Sequence, residues 1–470
     1  MNEVTLIAAE TFCRCAPSGQ IHPGGEQGLY VRDTRAVAGL VVRLNGEEPH
    51  SLRGRAVSPA AGRFTAWWRD PRDTEPDPKL LLERRRVLSG SLWEQLRLTN
   101  HGVEPVTASV TIAVVADFAY IFDVKHGRAG TPFPGEATGD GLAFRHPQTA
   151  HQVELRCDPA PDGIDGAGGE LRWEVALEPQ RPWSLEVSVG FRDRAHEPVW
   201  PTRTWDADIT TRGARPGPSR WWTVPALRCT DPRLPALAAQ AAADLESLLV
   251  ADPVAPEDRF LAAGSPWFLT LFGRDSIWSA LMALPLDVSL AGQTLRVLAR
   301  RQGTRVDPET EEQPGKILHE VRHGGLFERS DLPPVYFGTM DATPLFVTLL
   351  HEAWRWGLPE EEVRALLPAA ERALAWMRDH GDPDGDGFLE YRRSGGRGLD
   401  NQGWKDSSDG IQFADGRLAD APIALCEVQG YAYDAAVRGA ELLDAFGRAG
   451  GAGWRQWAAA LRERFRERFW

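Results

Sequence analysis

The stretch Val106–Val114, V-T-A-S-V-T-I-A-V, places apolar residues at every second position with polar or small residues between them. Side chains on a strand point alternately to two faces, so this pattern builds a sheet with one buried side. Leu171, Trp173, Val175 and Leu177 repeat it, and after Pro179–Pro182 so do Leu185, Val187, Val189 and Phe191. Such runs, divided by Gly/Pro/Asp clusters as far as about Arg212, predict antiparallel sheets in a large β-sandwich. Glycine and proline then gather at Gly213–Ser219, the expected domain boundary.

From Asp231 the apolar spacing lengthens. Asp231 can cap a helix and Pro232 suits its first turn, while Leu234, Leu237, Ala241, Leu245 and Leu248 make one stripe. Further helices are expected at about Ser276–Leu284, Ser289–Arg301, Thr343–Trp356, Pro359–His380 and Pro422–Phe446. In the fourth of these, Val363, Leu366, Leu367, Ala370, Leu374 and Met377 keep the helical spacing. Long polar loops separate alternate helices, which fits a toroid of helical hairpins with a site at one rim. A last stripe, Trp454, Trp457, Leu461 and Phe465, runs toward Trp470 with no helix-stopping residue, so the toroid is expected to be cut short. The expected organisation is an α+β chain: a sandwich at 1–212, a linker at 213–230 and the first part of the toroid at 231–470.

A chain of 470 residues is too long for one ordinary core, which also favours two domains. Its formal net charge is -13 and its basic residues are scattered, so neither nucleic acid nor an anionic membrane meets the basic surface it needs. Cys13, Cys15, Cys157, Cys229 and Cys426 are odd in number and hold no C-x-x-C pair. Reduced thiols in a cytoplasmic protein are expected rather than a disulfide framework. No leader peptide is expected, since no basic stretch followed by a long apolar one is seen at the start, and no apolar run is long enough for a bilayer. The motifs G-x-x-x-x-G-K-[ST] and G-x-S-x-G are absent, and no cofactor is expected. The 18 tryptophans, against 6 tyrosines, fit a protein that stacks sugar faces on indoles.

Three segments carry candidate chemistry. Asn401–Asp409, N-Q-G-W-K-D-S-S-D, combines an indole for a sugar face, two amides for hydroxyls, and Asp406 to protonate a leaving oxygen. As an acid Asp406 must stay protonated near neutrality, which burial against Trp404 would promote and Lys405 would oppose. Asp409 is the second candidate acid. Trp267–Ser276, W-F-L-T-L-F-G-R-D-S, offers Arg274 and Asp275 to hold vicinal hydroxyls, or else a helix start that Asp275 caps while Arg274 pairs with it. In Tyr336–Pro344, Y-F-G-T-M-D-A-T-P, Asp341 is either a helix cap or a second sugar-binding carboxylate.

Two further motifs point elsewhere. His319–His323, H-E-V-R-H, matches a zinc-protease pattern that needs both histidines on one helix face, with Glu352 as a distant third ligand. Gly315 and Gly324–Gly325 weaken that helix, and Leu326 and Arg329 break the extended form of the motif. Asp382–Glu390, D-P-D-G-D-G-F-L-E, starts like a calcium loop, but its twelfth position is Arg393 rather than glutamate. It reads as a tight polar turn that could bind calcium weakly.

With these residues in view, the chain resembles the bacterial amylo-alpha-1,6-glucosidase, or glycogen-debranching, family. Gly28–Arg35, G-L-Y-V-R-D-T-R, and Leu44–Gly46 are similar to its N-terminal domain. The F-G-R-D-S, M-D-A-T-P-L-F, N-Q-G-W-K-D-S and Glu427–Tyr433 (E-V-Q-G-Y-A-Y) segments are similar to its (α/α)6 catalytic barrel. The resemblance implies an inverting glycosidase related to glucoamylase and trehalase, acting on α-1,6 branch points or related α-glucosides. By it, Arg274 and Asp275 bind the terminal glucose and Asp406 is the general acid. It also implies an aromatic cradle of Trp267, Trp404 and Tyr336, with Lys405, Asp341 and Glu427 lining the site. The family's base lies near the end of a barrel with about twice as many helices as are found here, so it is expected outside this chain. The chain would then be inactive or impaired unless completed by another polypeptide. A carbohydrate-binding protein without turnover is the alternative, and a zinc protease a minor one.

Overall fold

The computed structural model describes residues 3–70, 77–128, 130–193, 227–323 and 332–470; the expected connector Gly213–Ser219, Gly324–Gly325, Leu326 and Arg329 lie outside them. The described residues form two units. Residues up to 193, with 227–248 and 264–269, make the first; 249–263 and those from 270 onward make the second.

The first unit is built from antiparallel strands. One four-stranded sheet follows the chain order of Val4–Ala8, Thr11–Cys15, Gly28–Val31 and Thr34–Val37. A second runs Gly163–Asp165, Glu170–Leu177, Val106–Val115, Gly39–Leu44, and a third has eight strands from Gly135–Ala137 at one edge to His50–Ser58 at the other. The alternation at Val106–Val114 fixes the middle of the second sheet. Val110 stands opposite Trp173 on one side and Leu44 on the other, and Ala108, Val110, Ile112 and Val114 are buried. Their core is continuous with Leu82, Leu96, Val187 and Val189 of the eight-stranded sheet, which makes the unit a sandwich. A short helix, α1, spans Ile121–Lys125.

Inside this core sits a charged triad. Arg84 Nε donates to Glu94 Oε1 at 2.7 Å and Arg86 Nη2 to Glu94 Oε2 at 2.9 Å, with all three side chains at most 1% exposed. Arg84 also donates to Gln20 Oε1, and Gln20 Nε2 donates to the Val42 carbonyl, so the charges are joined to the facing sheet.

The helix expected from Asp231, α2 (Arg233–Ser247), goes with the first unit rather than with the other helices. Its Ser247 carbonyl accepts the Ala9 N–H at 2.8 Å. Asp231 Oδ1 accepts the Arg233 N–H at 2.9 Å, but Pro232 rather than Asp231 occupies the cap position and no side chain caps the helix. The expected stripe is not a core face: Leu234 and Leu237 are exposed, and only Ala242 of this helix is fully buried.

The second unit is helical. Its helices are α3 (Gly273–Ala283), α4 (Val288–Ala299), α5 (Ala342–Arg355), α6 (Glu360–Asp379), α7 (Cys426–Ala445) and α8 (Gly451–Arg468). They pair as hairpins α3–α4, α5–α6 and α7–α8, with α3, α5 and α7 adjacent in one row and α4 beside α6 in another. This is the hairpin arrangement of an (α/α) toroid. Helix α5 lies in its middle and is buried almost all round, while α6 buries the expected Val363, Leu366, Leu367, Ala370, Leu374 and Met377 stripe. The fold is therefore a sheet-rich N-terminal part followed by a helical one. No helix among the described residues is long and apolar enough to cross a membrane.

Candidate functional site

Helix α3 begins where the chain passes very close to a neighbour. A Cβ on Gly273 would stand 2.1 Å from the Leu318 carbonyl oxygen, and the Gly273 N–H donates to the His319 carbonyl at 2.9 Å. Glycine is required there, and it sets Arg274 and Asp275 in the first turn of α3. Phe272, not Asp275, occupies the cap position, and no side chain caps the helix. The capping explanation of Asp275 is thus removed.

Arg274 is the centre of the site. Its Nη1 donates to Asp341 Oδ2 at 3.0 Å, its Nη2 lies 3.7 Å from Asp406 Oδ2, and its Nε lies 3.9 Å from Asp275 Oδ2. Three segments far apart in sequence therefore meet on one guanidinium. Its side chain is 12% exposed and that of Asp341 2%, whereas those of Asp275 and Asp406 are 38% and 42% exposed. A planar fork held from behind by one carboxylate and flanked by two accessible ones matches the geometry needed to fix hydroxyls in place.

A cleft of about 370 Å³ opens beside them, lined by Arg274, Asp275, Trp278, Ser279, Trp404 and Tyr431 among others. Trp278 and Tyr431 meet edge to face at 5.9 Å. Neither was singled out in the sequence, yet the signal was there. Trp278 and Ser279 follow Asp275 by three and four residues, one face of α3, and Tyr431 follows Glu427 by four on α7. Glu427 is half-buried in the first turn of α7 and its charge helps raise the Tyr431 hydroxyl pKa, after burial and Asp341.

Burial pushes the Asp406 carboxyl above its ordinary range; Arg274 opposes this, and Asp275 and Asp341 reinforce it. Asp275 is raised too, first by burial. The cation that opposes Asp406 is thus Arg274 rather than the expected Lys405, whose Nζ lies over the Trp404 ring at 5.3 Å.

Several expected sugar contacts have other duties. Asn401 and Gln402 are buried; Asn401 Nδ2 donates to the Ser407 carbonyl at 2.6 Å, so that amide shapes the loop, whereas Gln402 is fixed through its main-chain carbonyl, which accepts the Met340 N–H, and its Nε2 has no hydrogen-bond partner. Asp341 leaves its helix uncapped and instead accepts from Arg274 and from Thr339 Oγ1 at 2.6 Å, which makes it a support for the arginine. Tyr336 is fully buried, and its hydroxyl accepts the Leu399 N–H at 2.9 Å. A Cβ on Gly398, at φ +128°, would lie 2.7 Å from that hydroxyl, so the loop closes over the tyrosine only as glycine. Trp267 belongs to the first unit, where the Arg14 guanidinium lies over its ring at 5.7 Å. Asp409 is exposed, and its carbonyl accepts from Gln412.

The zinc pattern loses its premise. Glu320–Val321 is a short strand paired with Val335–Tyr336, not a helix. In extended chain, residues four apart lie about 13 Å from one another, too far to share an ion. His319 is buried between the rings of Phe272 and Tyr336, and burial pushes it down to about 3. Glu320 is tied to Arg322 at 2.8 Å.

Residues 6–188 match a family model described as the N-terminal domain of (some) glycogen debranching enzymes. No curated protein matches the chain. Among solved structures, one described as "Putative kojibiose phosphorylase from human microbiome" is similar at TM-score 0.56 and 9% identity, over 98% of this chain and 67% of that one. A likeness to "Putative aldose 1-epimerase" from Escherichia coli K12, at 10% identity over 41% of this chain and 99% of that one, reaches a TM-score of only 0.28. The likeness to the first is one of fold; the family match concerns the N-terminal unit.

Proposed function

We propose that this chain binds the terminal glucose of an α-glucan or small α-glucoside and carries the acid that cleaves its glycosidic bond, by an inverting route. The observation that carries the reading is the convergence of Asp275, Asp341 and Asp406 on Arg274 beside a cleft that bears Trp278, Trp404 and Tyr431. Arg274 and Asp275 take sugar hydroxyls, the aromatic side chains take the ring face, and protonated Asp406 gives its proton to the leaving oxygen as the C1–O bond breaks. Water attacks C1 from the opposite face. The carboxylate that would activate it is not assigned among the described residues. The match of residues 6–188 to debranching-enzyme N-terminal domains supports an α-glucan as substrate.

The direct test is incubation with a branched limit dextrin and with α-linked disaccharides, followed by product and anomer analysis, with and without inorganic phosphate. Free β-glucose as first product supports the proposal. Glucose 1-phosphate formed only with phosphate replaces hydrolysis by phosphorolysis, and saccharide binding without any product leaves a binding protein. In all three cases Asp275→Ala is expected to weaken saccharide binding about 10- to 100-fold, the loss of a charged hydrogen bond, with an unchanged thermal midpoint. Calorimetry checks this, and unaltered affinity would exclude Asp275 from the site.

A further inference from the structure

The turn after α6 organises its own carboxylates. Asp382 Oδ1 accepts the N–H groups of Gly385 at 2.7 Å and Asp386 at 3.1 Å, and its Oδ2 accepts that of Gly387 at 2.8 Å. Asp384 Oδ1 accepts from the Asp386 N–H, and Asp386 Oδ1 from the Phe388 N–H. Oxygen atoms of Asp382, Asp384 and Glu390 thereby come within 4.8 Å of one another. Oxygens bound to one calcium ion at about 2.3–2.6 Å stand at most ~5 Å apart, so the three can share an ion.

A second observation is independent of that spacing. Glu390 is 5% exposed, its carboxylate belongs to the cluster, and its Oε1 has no hydrogen-bond partner. Among the described ion pairs none includes Asp382, Asp384, Asp386 or Glu390, and the Arg464 guanidinium that reaches this loop donates to the Gly387 carbonyl at 3.1 Å rather than to a carboxylate. A carboxylate left buried and unanswered is costly, and a bound cation removes that cost. Arg393, at the twelfth position of the loop, turns away to Asp400 at 2.8 Å. The glutamate missing from the twelfth position is supplied from the ninth.

We propose that Asp382, Asp384 and Glu390 bind a calcium ion. All donors are hard oxygens on a glycine-opened loop, the ligand set that calcium prefers. The ion also bears on the acid-bearing loop. Next to Glu390, the Tyr391 hydroxyl donates to Asn401 Oδ1 at 2.7 Å, and Asn401 in turn holds the Ser407 carbonyl. The site stands apart from the glycosidase proposal and survives its failure.

Calcium titrated calorimetrically into the full chain, freed of metal by chelator and dialysis, should bind one to one and raise the thermal midpoint. Asp384→Asn and Glu390→Gln should each weaken binding at least tenfold. Without calcium, Glu390→Gln should melt no lower than the wild type, since it removes an unanswered charge; that separates lost binding from lost folding. Absence of saturable calcium binding, equal affinity in both variants, or tight magnesium binding in place of calcium would each overturn the assignment.

Discussion

Replacing Asp406 by asparagine is expected to lower kcat/KM on an unactivated α-glucoside by about 10²–10⁴-fold, with saccharide affinity nearly unchanged. The amide keeps the shape of the side chain beside Arg274 but cannot deliver a proton to the glycosidic oxygen. On an aryl glucoside whose leaving group needs no protonation, the loss should be far smaller, which ties the defect to acid catalysis rather than to folding. Asp409→Asn should leave the rate alone, because Asp409 is exposed and apart from the arginine. The pH profile has a defined sign. Burial, Asp275 and Asp341 raise Asp406 against the pull of Arg274. The protonated form is the active one, so kcat should fall as pH rises through a value above the ordinary ~3.9 of an aspartate. Wild-type turnover with an unchanged rate in Asp406→Asn would take the residue out of its role.

Glu94→Ala should be the most damaging single change to the fold. It leaves Arg84 and Arg86 as two buried guanidiniums without an anion, a loss of about 3–5 kcal/mol, to be read as a shift in urea midpoint. Burial alone would raise the Glu94 carboxyl, but Arg84 and Arg86 hold it below its usual range. Its contribution is therefore complete above the unfolded value of about 4.3 and is lost as pH falls through the lower folded one. Replacing Arg84, Glu94 and Arg86 together by apolar residues of similar volume should recover most of the stability, since the desolvation cost of the charges disappears with them. If Glu94→Ala alone melts like the wild type, the triad contributes nothing net.

The architecture was legible because burial writes itself into periodicity. Val106–Val114 alternates because one face of its strand is core, and the stripe from Val363 to Met377 has helical spacing because one face of α6 is core. The same reasoning misled at α2, where Leu234 and Leu237 carry the spacing but stay exposed. Periodicity reports an apolar face and not whether a neighbour covers it. At the site, the residue types made Arg274, Asp275 and Asp406 separate candidates, and it was the resemblance of their segments to one family's barrel that grouped them, since no spacing in the chain relates them. The work of the amides was illegible. Asn401 and Gln402 resemble sugar ligands by type, and only packing shows both buried, with the Asn401 amide turned to the Ser407 carbonyl to hold the loop. Trp278 and Tyr431 were missed for the opposite reason, as aromatic residues inside helices look like ordinary core.

The guanidinium of Arg274 also has a place in time. Its partner Asp341 lies 67 positions along the chain, and Asp406 lies 132 positions along, the difference of the two residue numbers. Contacts that close such long loops come late in folding, once local hairpins have met. The helical pairs must therefore dock before the arginine finds its ring of acids, and the centre contributes little to the rate at which the unit forms. Substitutions that break the buried Arg274–Asp341 pair should accordingly hasten unfolding while leaving refolding nearly untouched. The part of the molecule read here as the seat of its chemistry is then the last to assemble and the first to come apart.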